Sequence, residues 1–213
     1  MYLHLIEKAL KEEKSSIMLV PEISLTPQTV DRFIARFGEE KIAVLHSKLS
    51  VGERYDQWNK IHQGKAKVVI GARSAIFAPV KNLGIVIIDE EHDSSYKSKT
   101  SPRYHAKEIA RYLAKENNVP LVLGSATPEL ESYYHTQTEE TTLLELTKRA
   151  NSASLPEIEV VDLRQELQEG NKSMVSGKLY QAIKQNLENK KQTILFLNRR
   201  GFSTFVMCRE CGN

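Results

Sequence analysis

Through the first two-thirds of the chain, short apolar runs rich in β-branched residues alternate with segments whose apolar positions recur every three or four residues. That alternation predicts a parallel sheet covered by helices on both faces. The candidate strands are residues 16–20, 42–45, 66–70, 84–89 and 121–124. Between them Val30, Phe33, Ile34 and Phe37 fall at helical spacing, as do Val51, Tyr55 and Trp58, and Ile109 with Leu113. Two helix starts are well marked: Ser50 with Glu53 forms a capping box, and Thr26 before Pro27 reads as an N-cap with proline at the first helical position. The run Ile85-Val86-Ile87-Ile88 is apolar on both faces, as a central strand must be. The residues directly after this run belong at the carboxyl edge of the sheet, where open α/β sheets place their ligands.

From 136 to 154 the composition turns polar and the periodicity weakens, which predicts a connector over 136–156 with a short strand near 143–146. A second alternation then begins. It predicts a strand at 158–162, a polar loop through Gly170 and Asn171, a helix on Leu179, Ile183 and Leu187, and a strand at 193–197. The domain reading is therefore one α/β lobe over 1–135, the connector, the start of a second α/β lobe over 157–207, and a cysteine-bearing end at 208–213.

Composition narrows the class. With 213 residues, 40% hydrophobic and 27% charged, the chain is neither collagen-like nor disordered. No apolar run approaches the roughly 20 residues a bilayer-spanning helix needs, and the N-terminus lacks the flanks of a signal peptide. No membrane role and a cytoplasmic location are expected. The net charge of +3 is too small to argue for nucleic acid, so local placement must carry that case. The two cysteines, Cys208 and Cys211, have two residues between them, a spacing that suits half of a tetrahedral zinc site rather than a disulfide framework, with a free dithiol as the alternative for this chain.

The sharpest chemical signal is Asp89-Glu90-Glu91-His92, directly after the buried strand. In phosphoryl-transfer sites of this architecture an aspartate at a strand end helps hold Mg²⁺, and a neighbouring carboxylate orients or deprotonates the attacking water. Asp89 suits the first role and Glu90 the second; an acidic loop capping the next helix is the alternative. Gly124-Ser125-Ala126-Thr127-Pro128 comes after the next strand and reads either as a helix start or as small hydroxyl residues bridging the carboxylates to a moving neighbour. Between the two lies a segment that mixes aromatic and basic residues. There Tyr96, Tyr104 or His105 can stack bases while Lys97, Lys99 and Arg103 hold phosphates, unless the loop is simply solvated.

In this order the motifs resemble superfamily 2 helicases, and among them the primosomal replication-restart helicases. Leu19-Val20-Pro21-Glu22-Ile23-Ser24-Leu25-Thr26-Pro27-Gln28 is similar to motif Ia, and Gly71-Ala72-Arg73-Ser74-Ala75-Ile76-Phe77-Ala78-Pro79 to motif Ib. Asp89 to His92 resemble motif II, Gly124 to Pro128 motif III, and Ile194-Leu195-Phe196-Leu197-Asn198-Arg199-Arg200-Gly201-Phe202 motif IV. The resemblance implies a RecA-like lobe and an ATP- and Mg²⁺-dependent 3′–5′ DNA helicase or translocase that acts in primosome assembly and restart of stalled forks. Its partners would be single-stranded and forked DNA, primosome proteins and single-strand-binding protein. It implies catalytic roles for Asp89, Glu90, Glu91 and His92, with Asp89 reaching Mg²⁺ through the nucleotide. Ser125, Ala126 and Thr127 would couple the lobes. Ser24, Thr26, Arg73, Ser74, Tyr96, Lys97, Arg103 and Tyr104 would contact DNA, where hydroxyls, a helix start and a guanidinium suit phosphates. Zn²⁺ on Cys208 and Cys211 is implied for the parent protein, whose remaining ligands would lie further along.

No Gly-x-x-x-x-Gly-Lys-Ser/Thr run occurs in the 213 residues. By the resemblance that loop lies just upstream of Tyr2, so the chain is expected to be a fragment beginning after the P-loop, and the late motifs of the second lobe, with their arginine finger, to lie outside it. The sheet is then expected to lack its P-loop strand, the fragment to be inactive alone, and open strand edges to favour self-association. The reading from another class is a non-catalytic DNA-binding or interaction module with a helicase-like fold.

Overall fold

The computed structural model describes residues 1–138, 140–147 and 156–196, and divides the chain into two compact units, Met1–Glu145 and Leu146–Asn213. In the first unit the strands are β1 (Ser15–Leu19), β2 (Ile42–Leu45), β3 (Val68–Gly71), β4 (Leu83–Ile88) and β5 (Leu121–Leu123). The helices are α1 (Tyr2–Lys11), α2 (Pro27–Phe37), α3 (Val51–His62), α4 (Ala106–Asn117) and α5 (Leu130–Gln137). All five strands pair in parallel in the order β2-β3-β1-β4-β5. This is the expected α/β sheet.

Strand alternation explains why both faces are covered. Ile17 and Leu19 of β1, Val69 of β3 and Val86 and Ile88 of β4 pack into one core with Ile61 of α3 and Ala106 and Ala110 of α4. Their neighbours Met18, Val68, Ile70, Ile85 and Ile87 pack into the other with Ile6 and Ala9 of α1 and Phe33 and Phe37 of α2. Because successive residues of a strand point to opposite faces, a strand buried on both is mainly apolar throughout, with Ser15 and Ser16 of β1 the buried exceptions. The expected caps are present. Thr26 accepts from the Thr29 N–H at 3.3 Å, and Ser50 and Glu53 close a reciprocal capping box.

Helix α3 turns a different face to the sheet than its periodicity predicts. Val51 and Tyr55 are exposed, at 88% and 64%, and Trp58 is also exposed, whereas Ile61 is buried. Polar α3 side chains instead serve the free edge of β2. Gln57 Oε1 accepts from the Val44 N–H at 3.1 Å, and Lys60 Nζ donates to the carbonyls of Ile42 and Glu39 at 2.8 Å each. No such cap on β5, the other edge, is found among the described residues.

The second unit contributes α6 (Leu163–Gln168) and α7 (Gly177–Glu188), each started by a side-chain cap, Asp162 and Ser176. Helix α7 matches the expected helix, while α6 has no counterpart in the periodicity. The strands expected at 143–146 and 158–162 are absent among the described residues, and residues 193–196 of the one expected at 193–197 are not in a strand. A strand is defined by hydrogen bonds to a neighbour. Among the described residues these runs have no paired neighbour, and Leu144, Val160 and Ile194 stand exposed. Residues 197–202 of the motif IV segment, Cys208 and Cys211 lie outside the described residues.

At Gly71 the end of β3 passes so close to β2 that an added Cβ would lie 2.3 Å from the Leu45 carbonyl oxygen and 2.6 Å from Ala75 Cβ. Neither obstacle is a flexible side-chain end. Gly71→Ala is therefore expected to destabilise the first unit by about 1–3 kcal/mol, read as a lower urea midpoint for unfolding.

Candidate active site

Since every strand is parallel, the residues beyond the ends of β1, β3, β4 and β5 all emerge at one edge. The ladder continues past the strand ends there. Asp89 N–H donates to the Leu19 carbonyl at 2.9 Å, Val20 N–H to Gly71 at 3.0 Å, Gly124 N–H to Ile88 at 2.8 Å, and Glu91 N–H to Gly124 at 3.0 Å. The segments containing Ser24 and Thr26, Arg73 and Ser74, Asp89 to His92, and Ser125 to Thr127 are thus set along one side of the sheet by topology.

Within the acidic run the four residues part company. Glu90 adopts a left-handed backbone, φ +46°, which non-glycine residues rarely take. Asp89, Glu90 and His92 stay half-buried at the edge, while Glu91, at 1% exposure, is in the interior. His92 Nδ1 and Ser125 Oγ share a hydrogen bond at 2.7 Å, Ser125 Oγ accepts from the Thr127 N–H at 3.0 Å, and Glu90 Oε2 lies 3.7 Å from His92 Nδ1. Ser125 thereby ties the two motif segments together. Ala126 and Thr127 are exposed.

The motif places Glu91 among the reacting groups, and its position corrects that expectation. Its carboxylate accepts from Lys107 Nζ at 2.8 Å, Ser132 Oγ at 2.9 Å and the Glu129 N–H at 2.7 Å, so its oxygens are consumed within the protein. Lys107 also pairs with Glu129. Burial pushes the Glu91 carboxyl up, but the hydrogen bonds from Lys107, Glu129 and Ser132 outweigh it and hold it below the usual carboxylate range. For Lys107, burial pulls the ammonium down and the two carboxylates more than restore it, leaving it above the ordinary lysine value.

The aromatic and basic segment is a braced loop rather than a free one. Lys97 and His105 form an antiparallel bridge, and the Ser98 N–H donates to the Tyr104 carbonyl at 2.7 Å. Arg73 Nη1 donates to the carbonyls of Ser95 at 3.1 Å and Lys97 at 2.6 Å, and its guanidinium lies 5.7 Å from the centre of the Tyr104 ring. Tyr104 meets Phe77 edge-on with ring centres 5.0 Å apart. Arg73 is thus engaged in holding the loop. Tyr96, expected to stack a base, has 0% exposure and donates its hydroxyl to the Asp89 carbonyl at 2.6 Å. Its ring fills the core between sheet and loop, so it has no face to offer. Lys97, Arg103, Ser74 and Thr26 are exposed, and Ser24 and Tyr104 are half-buried.

The donor set fits a hard cation shared with phosphate. Among the described residues no group of three or more His, Cys, Asp or Glu side chains could hold a metal ion unaided. A lone strand-end carboxylate such as Asp89 is what Mg²⁺ uses when phosphates and water complete its shell. The phosphate-cradling sequence itself is not present in the 213 residues.

The DEAD/DEAH box helicase family model matches residues 1–135. The chain belongs to the DEAD/DEAH box helicase family. It is 55% identical over 211 residues to replication restart protein PriA of Bacillus subtilis and 49% identical over 216 residues to that of Synechocystis, covering 99% of this chain in each case. The chain spans 26% of the length of each of these relatives. Among solved structures, the DUF1998 helicase MrfA superposes with a TM-score of 0.54 at 16% identity, over 92% of this chain and 31% of that one, a likeness of fold.

Sequence reasoning missed three residues that contact the acidic segment: Tyr2, whose hydroxyl donates to Asp89 Oδ1 at 2.9 Å, Lys107 and Ser132. For Lys107 a signal existed. It stands in the first turn of α4, where a cation opposes the helix dipole and calls for a carboxylate partner. Removing it strands Glu91: Lys107→Met is expected to cost about 3–5 kcal/mol, and adding Glu91→Gln to recover part of that loss, in urea unfolding at neutral pH. The pH dependence has two ends. The depressed Glu91 contributes stability above the ordinary carboxylate range that is lost as pH falls through its folded value. The raised Lys107 contributes stability below the ordinary lysine value that is lost as pH rises through its folded value. Thermal melts across pH should lose both flanks in Lys107→Met.

Proposed function

We propose that this chain forms part of an ATP-dependent 3′–5′ DNA helicase or translocase that acts in primosome assembly and the restart of stalled replication forks. The observation that supports it is the convergence of Asp89, Glu90, His92 and Ser125 on one sheet edge, alongside the Arg73-braced loop, in a chain 55% identical to a replication restart protein. Asp89 would hold Mg²⁺ of the bound nucleotide, which supplies charge neutralisation at the phosphates. Glu90, half-exposed on its left-handed turn, would orient the attacking water, and His92 would report the state of Ser125. Thr26, Ser74, Lys97 and Arg103 are the groups available to a DNA backbone. Cys208 and Cys211 would supply two zinc ligands in the parent protein.

Because the 213 residues contain no phosphate-cradling loop, we expect this polypeptide alone to lack ATPase activity. The deciding measurement is DNA-stimulated ATP hydrolysis by the full-length protein, its Glu90→Gln variant and the 213-residue polypeptide. Turnover only with DNA, a loss of about 10²–10⁴-fold in the variant and silence of the shorter chain are the expected results. A silent full-length protein that still binds single-stranded DNA would leave a non-catalytic binding module instead. The 213-residue polypeptide is also expected to self-associate through the edge of β5, which has no cap among the described residues. Sedimentation velocity should show an average mass that rises with concentration; a monomer throughout would remove that expectation.

A further inference from the structure

Asp89 is held at three points. Its N–H donates to the Leu19 carbonyl at 2.9 Å and its own carbonyl accepts the Tyr96 hydroxyl at 2.6 Å, which fixes the backbone. The carboxylate is a separate matter, since the terminal torsion of an aspartate is broad and nearly two-fold. Among the described residues a single donor reaches it: the Tyr2 hydroxyl, from the first residue of α1, at 2.9 Å from Oδ1. Burial, reinforced by the hydrogen bond to Asp89 and the charges of Asp89 and Glu90, pushes the Tyr2 phenol well up, so it remains a proton donor across the physiological range.

Tyr2 can stand there because residue 124 has no side chain. A Cβ on Gly124 would lie 1.7 Å from the Tyr2 hydroxyl oxygen and 2.9 Å from Cζ, a collision that only displacement of the phenol could relieve. Backbone φ does not require glycine at this position, as it is not among the residues with positive φ. The glycine opening motif III is therefore explained by the phenol that occupies its missing side chain.

We infer that Tyr2 is a positioning residue for Asp89, that it fixes one carboxylate oxygen so that the other is presented to the magnesium of a bound nucleotide, and that Gly124 is glycine in order to admit it. This rests on the function proposed above. It assigns the α1 start and the motif III glycine to one task, the orientation of a motif II carboxylate.

The test uses the full-length protein and two magnesium titrations, one of fluorescent ADP binding without turnover and one of DNA-stimulated ATP hydrolysis. Tyr2→Phe keeps the ring and removes the hydroxyl. Its magnesium midpoint should rise about 10- to 100-fold in both titrations, the loss expected of one hydrogen bond to a charged group, with magnesium-free ADP affinity unmoved and a smaller effect on kcat. Gly124→Ala displaces the phenol without deleting it, so it should shift the midpoint in the same direction, and Tyr2→Phe added to it should bring little more. A midpoint for Tyr2→Phe within about twofold of wild type would overturn the assignment, as would full additivity of the two changes. If wild type itself shows neither magnesium-dependent ADP binding nor turnover, the proposed function fails first and takes this inference with it.

Discussion

The parallel direction of all five strands is the constraint on which the site depends. In a sheet of one direction the amino ends share one edge and the carboxyl ends the other, so groups more than 100 residues apart in sequence, such as Thr26 and Thr127, are sent to the same side without any contact having to draw them together. The backbone bonds that run on beyond the strands, from Asp89 to Leu19 and from Glu91 to Gly124, then fix the loops relative to one another. Helices on both faces make the sheet rigid by burying Ile, Val and Leu from either side.

On that platform one acidic tetrapeptide serves two ends. The left-handed turn at Glu90 separates carboxylates at the rim from one in the interior. Glu91 satisfies Lys107, Ser132 and the start of α5, and so anchors α4 and α5 to the loop that carries Asp89. A buried pair of this kind is weak as a source of net stability, yet costly to break on one side.

How much of this the sequence disclosed depends on where each residue's partners lie. Strands β3 and β4 are legible because burial on both faces favours a continuous apolar run, β1 from its apolar end Ile17-Met18-Leu19, and the caps at Thr26 and Ser50 because their partners lie three residues away. Helix α3 is recognisable but turned wrongly by its pattern: Val51, Tyr55 and Trp58 have helical spacing, yet the face that meets the sheet uses Gln57 and Lys60 to satisfy an edge that periodicity does not see. The runs at 158–162 and 193–197 look like strands, yet among the described residues neither has the paired neighbour that would make it one. In the site, Asp89 and Glu90 are readable from a motif. Tyr2, 87 positions away, and Tyr96, an aromatic that the loop's composition puts in solvent, are not, since only the fold brings each to Asp89.

The polar cap on β2 has a consequence for how this architecture is extended. With Gln57 and Lys60 engaging the Val44 N–H and the Ile42 carbonyl on one margin, the margin next to β5 is, among the described residues, the one left open to another strand. A further parallel strand added there would bring its carboxyl end beside Gly124, close to where the Tyr2 phenol meets Asp89. Enlargement of the sheet and completion of its chemical edge are in this molecule one and the same event.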